Sequence, residues 1–550
     1  MLAKLPPEVL DLVAGKMRKV DLIALSESSK YMRKASWRQL WQSITIGPWS
    51  EDDLHKMAVA GLPPICLQLT TSLRFHADIL HATTRRCPHG KEYLCSDDIS
   101  EDGSNSECDN EGDKSRAKFT RLSQRAKTWL EQLDGNQLQE FRYFKSEYKV
   151  NLSAFRWLRS LTWKAPDAYS LDALFTAIQS NAAHLQKLEI DFVDWPELWC
   201  ELFDAMDYNA NAAQTYFAEG VFGTISRSPS IFLPEIRTLV LSQVPVVAWM
   251  AQMINFGSLA KLTLRRCPGW ETLLDRIVEI KSPIKLTSLE IQETDETSWW
   301  TSLTLLNFIG AFQGLEELFI SRPGPDACPE LWDCIACRHT TLKRLVQQQN
   351  AVTDKTPPYF EWVNPIWDFA LFGRDLRCIR DDPSLSPLAG FDLEFLGIAC
   401  PPERLRHVLL PFASRATLKV LHIRQSAPDL VRYPSWALIP SLTASRAKGR
   451  ALSESGRALS ESGRALRDKF RHFAEWIFGP QGIKSLRVVA FGDFAHGGRR
   501  PQDNVILCKS TGGKESFQLL GKHEAQWLDV LEEYRNALEA CPAEGILDYR

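Results

Sequence analysis

The sequence predicts an α/β chain: a short module of three helices, then a long series of strand and helix units wound into a curved solenoid. Three observations predict it. The first forty-odd residues carry apolar side chains at helical spacing, a short aliphatic pattern recurs from Leu158 onward, and two polar stretches, one before that pattern and one within it, supply no core residues. At about 150 residues per domain, 550 residues would give three or four domains, but one repetitive body absorbs the same length.

Composition narrows the function classes. The chain has 65 Lys and Arg against 68 Asp and Glu, a formal charge of −3, so it lacks the global basic field that draws nucleic acid. No nucleic-acid partner is expected. Thirteen cysteines in this length are too sparse for a disulfide scaffold, which points to a reducing compartment. The opening Met1 to Glu8 lacks the apolar run of a signal peptide, and no stretch approaches the roughly 18 apolar residues of a membrane span. The expectation is a soluble protein of the cytoplasm or nucleus with no membrane partner.

The N-terminal module is read from its spacing. Pro6 and Pro7 suit a helix start, where proline's missing N–H is not needed. Val9, Leu10, Val13 and Met17 follow at helical intervals; Asp21 can cap a second helix carrying Leu22 and Leu25, and a third helix around Tyr31 to Trp41 adds Trp37, Leu40 and Trp41. Three short helices bury little by themselves and need an adjoining body or a partner.

The same residues carry a family likeness. From Leu5 to Trp41 the chain has a Leu-Pro opening followed by Glu8, a Val/Leu helix, the pair Asp21-Leu22, Ser29-Lys30 before the next helix, and a closing Leu40-Trp41. It resembles an F-box. The resemblance implies docking on a Skp-family adaptor through Leu5, Pro6, Val9, Leu10, Leu22, Leu25, Trp37, Leu40 and Trp41, with a cullin scaffold beyond it.

After the module, Ile65 to Leu69 and Leu73 to Phe75 alternate like short strands. Residues 96–118 are acidic, serine-rich and nearly free of apolar side chains, so they cannot offset their ordering entropy and are expected to be a disordered insertion. Ser100, Ser104 and Ser106 lie among its carboxylates.

The main signal follows. An aliphatic residue, two variable positions, an aliphatic residue, one variable position and a third apolar residue recur as Leu158-Leu161-Trp163, Leu185-Leu188-Ile190, Ile236-Leu239-Leu241, Leu259-Leu262-Leu264 and Leu286-Leu289-Ile291. The series continues through Leu315-Leu318-Ile320, Leu342-Leu345 with Gln347 in the third place, Leu393-Leu396-Ile398, Leu418-Leu421-Ile423 and Ile483-Leu486-Val488. First positions are separated by 27, 51, 23, 27, 29, 27, 51, 25 and 65 residues, and each 51-residue interval reads as two repeats with one degenerate. Period and pattern together mark leucine-rich repeats, each a short strand and a helix that bury their leucines only against neighbours. The strands form a parallel sheet on the concave side with helices outside.

Residues 441–468 contain the tandem RALSESG-RALSESG-RAL; its Gly456 and Gly463 would each cost a helix about 1 kcal/mol, which favours a flexible insertion. Glu524 to Ala540, with Trp527, Leu528, Val530, Leu531, Tyr534 and Leu538, has helical periodicity and is expected to cap the exposed end of the solenoid. The organisation is therefore a helical module at 1–46, connecting elements at 47–95, the acidic insertion at 96–118, and the repeat body at 119–550.

Motifs for chemistry are weak. Cys328, Cys334, Cys337 and His339 have four possible zinc ligands, but they fall where the period places a helix, and packing cysteines are the expectation. Cys87, His89 and Cys95 form a looser group. Lys514 follows Gly512-Gly513, yet Glu515 replaces the Ser or Thr of a phosphate loop, and His523-Glu524 lacks the second histidine of a metalloprotease helix. No catalytic residue, metal or cofactor is expected. What remains is the concave face, where the residues alternating with the leucines project: Lys187, Glu189, Lys261, Thr263, Arg265, Ser288, Glu290, Glu317, Phe319, Arg344, His422, Arg424 and Arg487. Of these, Lys261, Arg265, Glu290, Glu317, Phe319, Arg344, His422 and Arg424 are the candidate target contacts. With the F-box likeness, the chain resembles fungal-type F-box proteins with leucine-rich repeats, which implies a non-enzymatic substrate-recognition subunit of a Skp/cullin/F-box ubiquitin ligase. A leucine-rich-repeat scaffold outside any ligase is the alternative.

Overall fold

The computed structural model describes residues 6–17, 19–46, 69–76, 138–144, 152–166, 168–193, 195–203, 210–222, 231–293, 300–323, 329–350, 380–400, 402–424, 468–495, 504–510, 516–521 and 524–542. The fold is α/β, in two compact units, residues 1–238 and 239–550. The acidic stretch, the RALSESG tandem and the strand expected at Ile65 to Leu69 lie outside the described residues.

The first unit opens with three helices, α1 (Pro7–Ala14), α2 (Lys19–Ser28) and α3 (Lys30–Gln42). Proline stands at the first helical position of α1, and the Ser29 hydroxyl caps α3 by accepting the Met32 N–H. Leu10, Ala14, Leu22 and Met32 form the buried centre, and Gln39 of α3 donates to the Asp11 carboxylate of α1 at 2.9 Å.

Five parallel strands follow in chain order: β1 (Ser43–Ile46), β2 (Ser72–His76), β3 (Glu140–Phe144), β4 (Ser160–Lys164) and β5 (Lys187–Asp191). The ladder begins at Ser43, directly after α3 and well before the first recurrence of the sequence pattern at Leu158. Its register aligns Leu73, Phe141, Leu161 and Leu188 in one buried row. Between β4 and β5, α4 (Leu171–Asn181) ends on a buried asparagine: the Asn181 side chain accepts the Leu158 N–H and donates to the Phe155 and Ala177 carbonyls. That one amide ties the helix end to the strand approach.

After β5 the chain forms α5 (Trp195–Phe203) and α6 (Ala210–Phe222), whose Trp195, Trp199, Phe203, Tyr216 and Phe217 pack as an aromatic cluster. The Arg237 and Thr238 N–H groups then bond the Gln186 carbonyl at 2.8 and 3.0 Å, so the strand that starts at Thr238 follows β5 directly. Among the described residues the first 51-residue interval holds this helix pair, and no strand of the expected degenerate repeat is found there. The strand in question, β6 (Thr238–Ser242), spans the boundary between the units.

The second unit alternates β7 (Lys261–Arg265), α7 (Trp270–Ile280), β8 (Ser288–Gln292), α8 (Trp300–Gly310), β9 (Glu317–Pro323), α9 (Pro329–Arg338), β10 (Arg344–Asn350), β11 (Phe395–Ile398), α10 (Pro402–Ala413), β12 (Val420–Arg424) and β13 (Val488–Gly492). All seven strands are parallel in chain order. One backbone step repeats from strand to strand: Thr287 N–H to Ala260 O, Glu316 to Thr287, Lys343 to Glu316, Glu394 to Lys343, Lys419 to Glu394 and Arg487 to Lys419, all at 2.8 or 2.9 Å. The register stacks Leu262, Leu289, Leu318, Leu345, Leu396, Leu421 and Val489 in a fully buried row.

Three sequence expectations are corrected here. Strand β10 pairs directly with β11, so no described strand of the second 51-residue interval stands between them. In the last repeat Val489 and Phe491, not Leu486 and Val488, stand opposite Leu421 and Ile423. Both faces of this strand are apolar, which erases the alternation that fixes phase. The array ends with antiparallel β14 (Val505–Lys509) and β15 (Phe517–Leu519), and α11 (Ala525–Glu533) with α12 (Arg535–Leu538) lies across the sheet face rather than over its end. No described helix is long and apolar enough to cross a membrane.

Candidate functional site

The N-terminal helices sort by exposure the positions that carry the F-box likeness in the sequence. Leu10 and Leu22 are buried inside the module, Leu25, Trp37, Leu40 and Trp41 are half-buried, Pro6 and Val9 are exposed, and Leu5 lies outside the described residues. Leu10 and Leu22 therefore hold the module together, a packing role and not a docking one. The solvent face of α1 carries Val9, Leu12 and Val13 at i, i+3 and i+4, with Leu12 73% exposed, and Ile23 of α2 is exposed as well. Leu12 is absent from the positions expected from the sequence, although its spacing from Val9 gives the signal.

Among the described residues, the strand face of the first unit is polar and partly exposed. Glu140 accepts from the Ser72 hydroxyl and from Arg142 at 2.7 Å, with Arg74 at 4.0 Å. Two strands later, Glu189 sits between Lys164 at 2.9 Å and Lys187 at 3.0 Å. Burial would raise the Glu189 carboxyl, but the two ammonium groups win and hold it far below the usual carboxylate range. Both carboxylates are thus fixed anions flanked by partly exposed cations.

The corresponding face of the second unit is occupied by the chain itself. Phe319, Val346, Phe395, Val420, Val488, Ala490, Ile506 and Cys508 alternate with the leucine row and form one buried cluster with Trp527, Val530, Tyr534, Ala537, Leu538, Ala540 and Cys541 of the C-terminal segment. Tyr534 stacks on Phe395 with ring centroids 5.7 Å apart, and the Arg344 guanidinium lies over the Tyr534 ring. Burial first, then the neighbouring Glu533, pushes the Tyr534 hydroxyl up to about 12.

Beyond the apolar cluster, the same segment ends on charged groups. Arg265 grips Glu290 through two hydrogen bonds of 2.6 and 3.0 Å, and Glu290 also accepts the Cys541 N–H at 2.7 Å. Arg424, 5% exposed, donates to the Ala540 and Cys541 carbonyls at 2.6 and 2.9 Å and to the Gln348 side chain, while Gln292 donates to the Pro542 carbonyl at 2.8 Å. Cys541, three residues beyond the end of α12, adopts a left-handed backbone at φ 47°. Next to Arg424, the buried His422 ring donates from Nε2 to the Gly492 carbonyl at 3.0 Å.

Of the eight candidate target contacts, then, Glu290, Phe319, His422 and Arg424 are buried, and the chain's own residues 525–542 close over their face. Lys261, Arg265, Glu317 and Arg344 keep partial exposure; Glu317 is paired with Arg344 at 2.6 Å and with the Ser288 hydroxyl. Part of the signal for closure is in the sequence: from β9 onward the residues alternating with the leucines include Phe319, Val346, Phe395, Val420 and Val488 beside Glu317, Arg344, His422 and Arg424, and so apolar a stretch of face favours a cover.

The cysteine group on α9 is not assembled. His339 is buried with both ring nitrogens engaged, Nδ1 accepting the Leu315 N–H and Nε2 donating to the Ile309 carbonyl; Cys337 is exposed, and Cys328 lies outside the described residues, as do Cys87, His89, Cys95 and Lys514. Among the described residues no group of three or more His, Cys, Asp or Glu could hold a metal ion. No family model matches the chain, and no curated protein matches it.

Proposed function

We propose that the chain is the substrate-recognition subunit of a Skp/cullin/F-box-type ubiquitin ligase, in which α1 to α3 dock on a Skp-family adaptor and a leucine-rich-repeat array holds a target protein. The observation that carries this reading is the exposed apolar face of α1, Val9, Leu12 and Val13, on a small helical module placed directly before an in-register parallel strand array. A face of that kind on a three-helix module is an invitation to a partner helix. The array supports the repeat reading through its recurring backbone step and leucine row. Target contact falls to the partly exposed strand face of the first unit, where Arg74, Arg142, Lys164 and Lys187 surround Glu140 and Glu189. The mechanism is positional: tethering the target raises its effective concentration at the ligase's catalytic machinery, with no chemistry on this chain.

The test is co-purification of the full chain with a Skp-family adaptor. The wild type should retain adaptor stoichiometrically, and Leu12→Asp should abolish retention with the melting temperature nearly unchanged, since the side chain is exposed. Leu10→Asp and Leu22→Asp should instead unfold the module. A wild-type chain that folds but retains no adaptor would leave the non-ligase repeat scaffold as the reading.

A further inference from the structure

The charges on the strand face of the first unit lie in two layers. Glu140 keeps 24% of its side-chain surface against 38% for Arg74 and 33% for Arg142, and Glu189 keeps 17% against 26% for Lys164 and 31% for Lys187. Solvent therefore meets the cations first. Burial would raise the Glu140 carboxyl, but the Ser72 hydroxyl, Arg142 and Arg74 outweigh it and hold it below its ordinary value. Both carboxylates stay ionised beneath their cations.

The face as a whole is cationic. Lys19 of α2 donates to the Ser43 carbonyl at the start of β1 at 2.9 Å and lies near enough to Arg74 for the two charges to repel. With it, the described residues of this face carry five cations against three carboxylates, the third being Asp191, which accepts the Val193 N–H at 3.0 Å. The whole chain has a formal charge of −3, so this face departs in sign from the rest. Each of the two carboxylate centres has an excess of about one positive charge, and the centres, on β3 and β5, stand two strands apart, about 10 Å. One excess charge matches a singly charged carboxylate better than a phosphate group near −2. A nucleic-acid backbone, charged at every residue, would be pressed against Glu140 and Glu189 as well.

We propose that this face takes an acidic, unphosphorylated segment of the target protein, whose Asp or Glu side chains lie about 10 Å apart and pair with Arg74 and Arg142 at one centre and with Lys164 and Lys187 at the other. The inference deepens the reading of this face as the target contact and rests on that part of it. Partly exposed pairs of this kind are screened by salt, so selectivity comes from sign and spacing more than from strength.

The full chain is tested with a fluorescent peptide of repeated Glu-Ser-Gly, whose carboxylates recur about every 10 Å in an extended chain. The comparisons are the same peptide with Gln or phosphoserine in place of Glu, and a single-stranded RNA. The Glu peptide should bind by anisotropy, weaken as salt is raised, and slow acetylation of Lys164 and Lys187, read by mass spectrometry, at least about threefold. The exposed Lys30 and Lys34 of α3 should be unaffected, and the Gln peptide should do none of this. Glu140→Gln removes a carboxylate from between two cations and should tighten binding about two- to fivefold, whereas Lys187→Gln should weaken it by a similar factor. Variants that fail to fold leave the wild-type footprint to decide. The proposal is overturned by no binding, by equal protection of all four lysines, by tighter binding of the RNA, or by a phosphoserine peptide at least about tenfold tighter than the Glu peptide. Binding that appears only when residues 96–118, the chain's own acidic stretch, are deleted overturns it too. Adaptor retention is measured on the same preparation. Adaptor retained without peptide binding sinks this inference alone, and peptide bound without adaptor sinks the ligase reading alone.

Discussion

Arg424 shows how a single residue can be read correctly for its face and wrongly for its partner. Its position, alternating with Leu421 and Ile423, is legible in the repeat pattern; that it meets the carbonyls of residues 540 and 541, more than a hundred residues away in sequence, is not, because no local pattern encodes such a pairing. Replacing it with methionine keeps bulk and removes the donors, leaving two buried carbonyls unpaired. Arg424→Met should cost about 1–3 kcal/mol, read as a lower urea midpoint for the second unit. Its neighbour His422 sets a pH dependence. Burial, and then the Arg424 charge, hold the ring's pKa well below the ordinary histidine value, against the pull of the Gly492 carbonyl. The unfolded ring protonates near about 6.5 while the folded ring does not, so stability falls as pH drops from about 7 towards about 5. His422→Gln should flatten that slope in urea midpoints measured across the range; an unchanged slope would place the titration elsewhere. His339, lowered chiefly by burial, adds in the same direction.

At the scale of elements, the strands are the most legible part and the insertions the least. Each Leu-x-x-Leu-x-apolar match from Leu158 to Ile423 lands on a strand, because the second and third positions must point to one side of an extended backbone to share a core. Strand β3, Glu140–Phe144, escapes the pattern because it places Phe141 where other repeats have leucine. The doubled intervals mislead for another reason: a spacing rule cannot distinguish a missing strand from an extra pair of helices such as α5 and α6. One irregularity is both legible and real. Gln347 occupies the row of Ile320 and Ile398 and is only half-buried. Gln347→Ile restores the row, and thermal melting should show a gain of about 0.5–2 kcal/mol. The helical module adds the contrast already drawn between Leu10, which packs, and Leu12, which is displayed.

Within each unit the described parallel strands neighbour one another in chain order, so ladder contacts join residues about one repeat apart. Truncating one member of a continuous buried row should therefore be felt in the adjoining repeats. Leu345→Ala is expected to cost about 2–5 kcal/mol, and hydrogen exchange should accelerate in β9 and β11 as well as in β10, while the helices α1 to α3 keep their protection. Exchange confined to β10 would contradict a shared core.

The exception to neighbour-only contact is the closing segment, whose bonds from Gln292 to Pro542 and from Glu290 to Cys541 span 250 and 251 residues. During synthesis the ladder can form as each strand emerges, but the cover for Phe319, Phe395 and Val420 is the last described part of the chain to be made. A nascent chain therefore carries the strands with this aromatic face uncovered until residues 525–542 emerge, and that interval is when a chaperone, or another copy of the same segment, has its chance to bind.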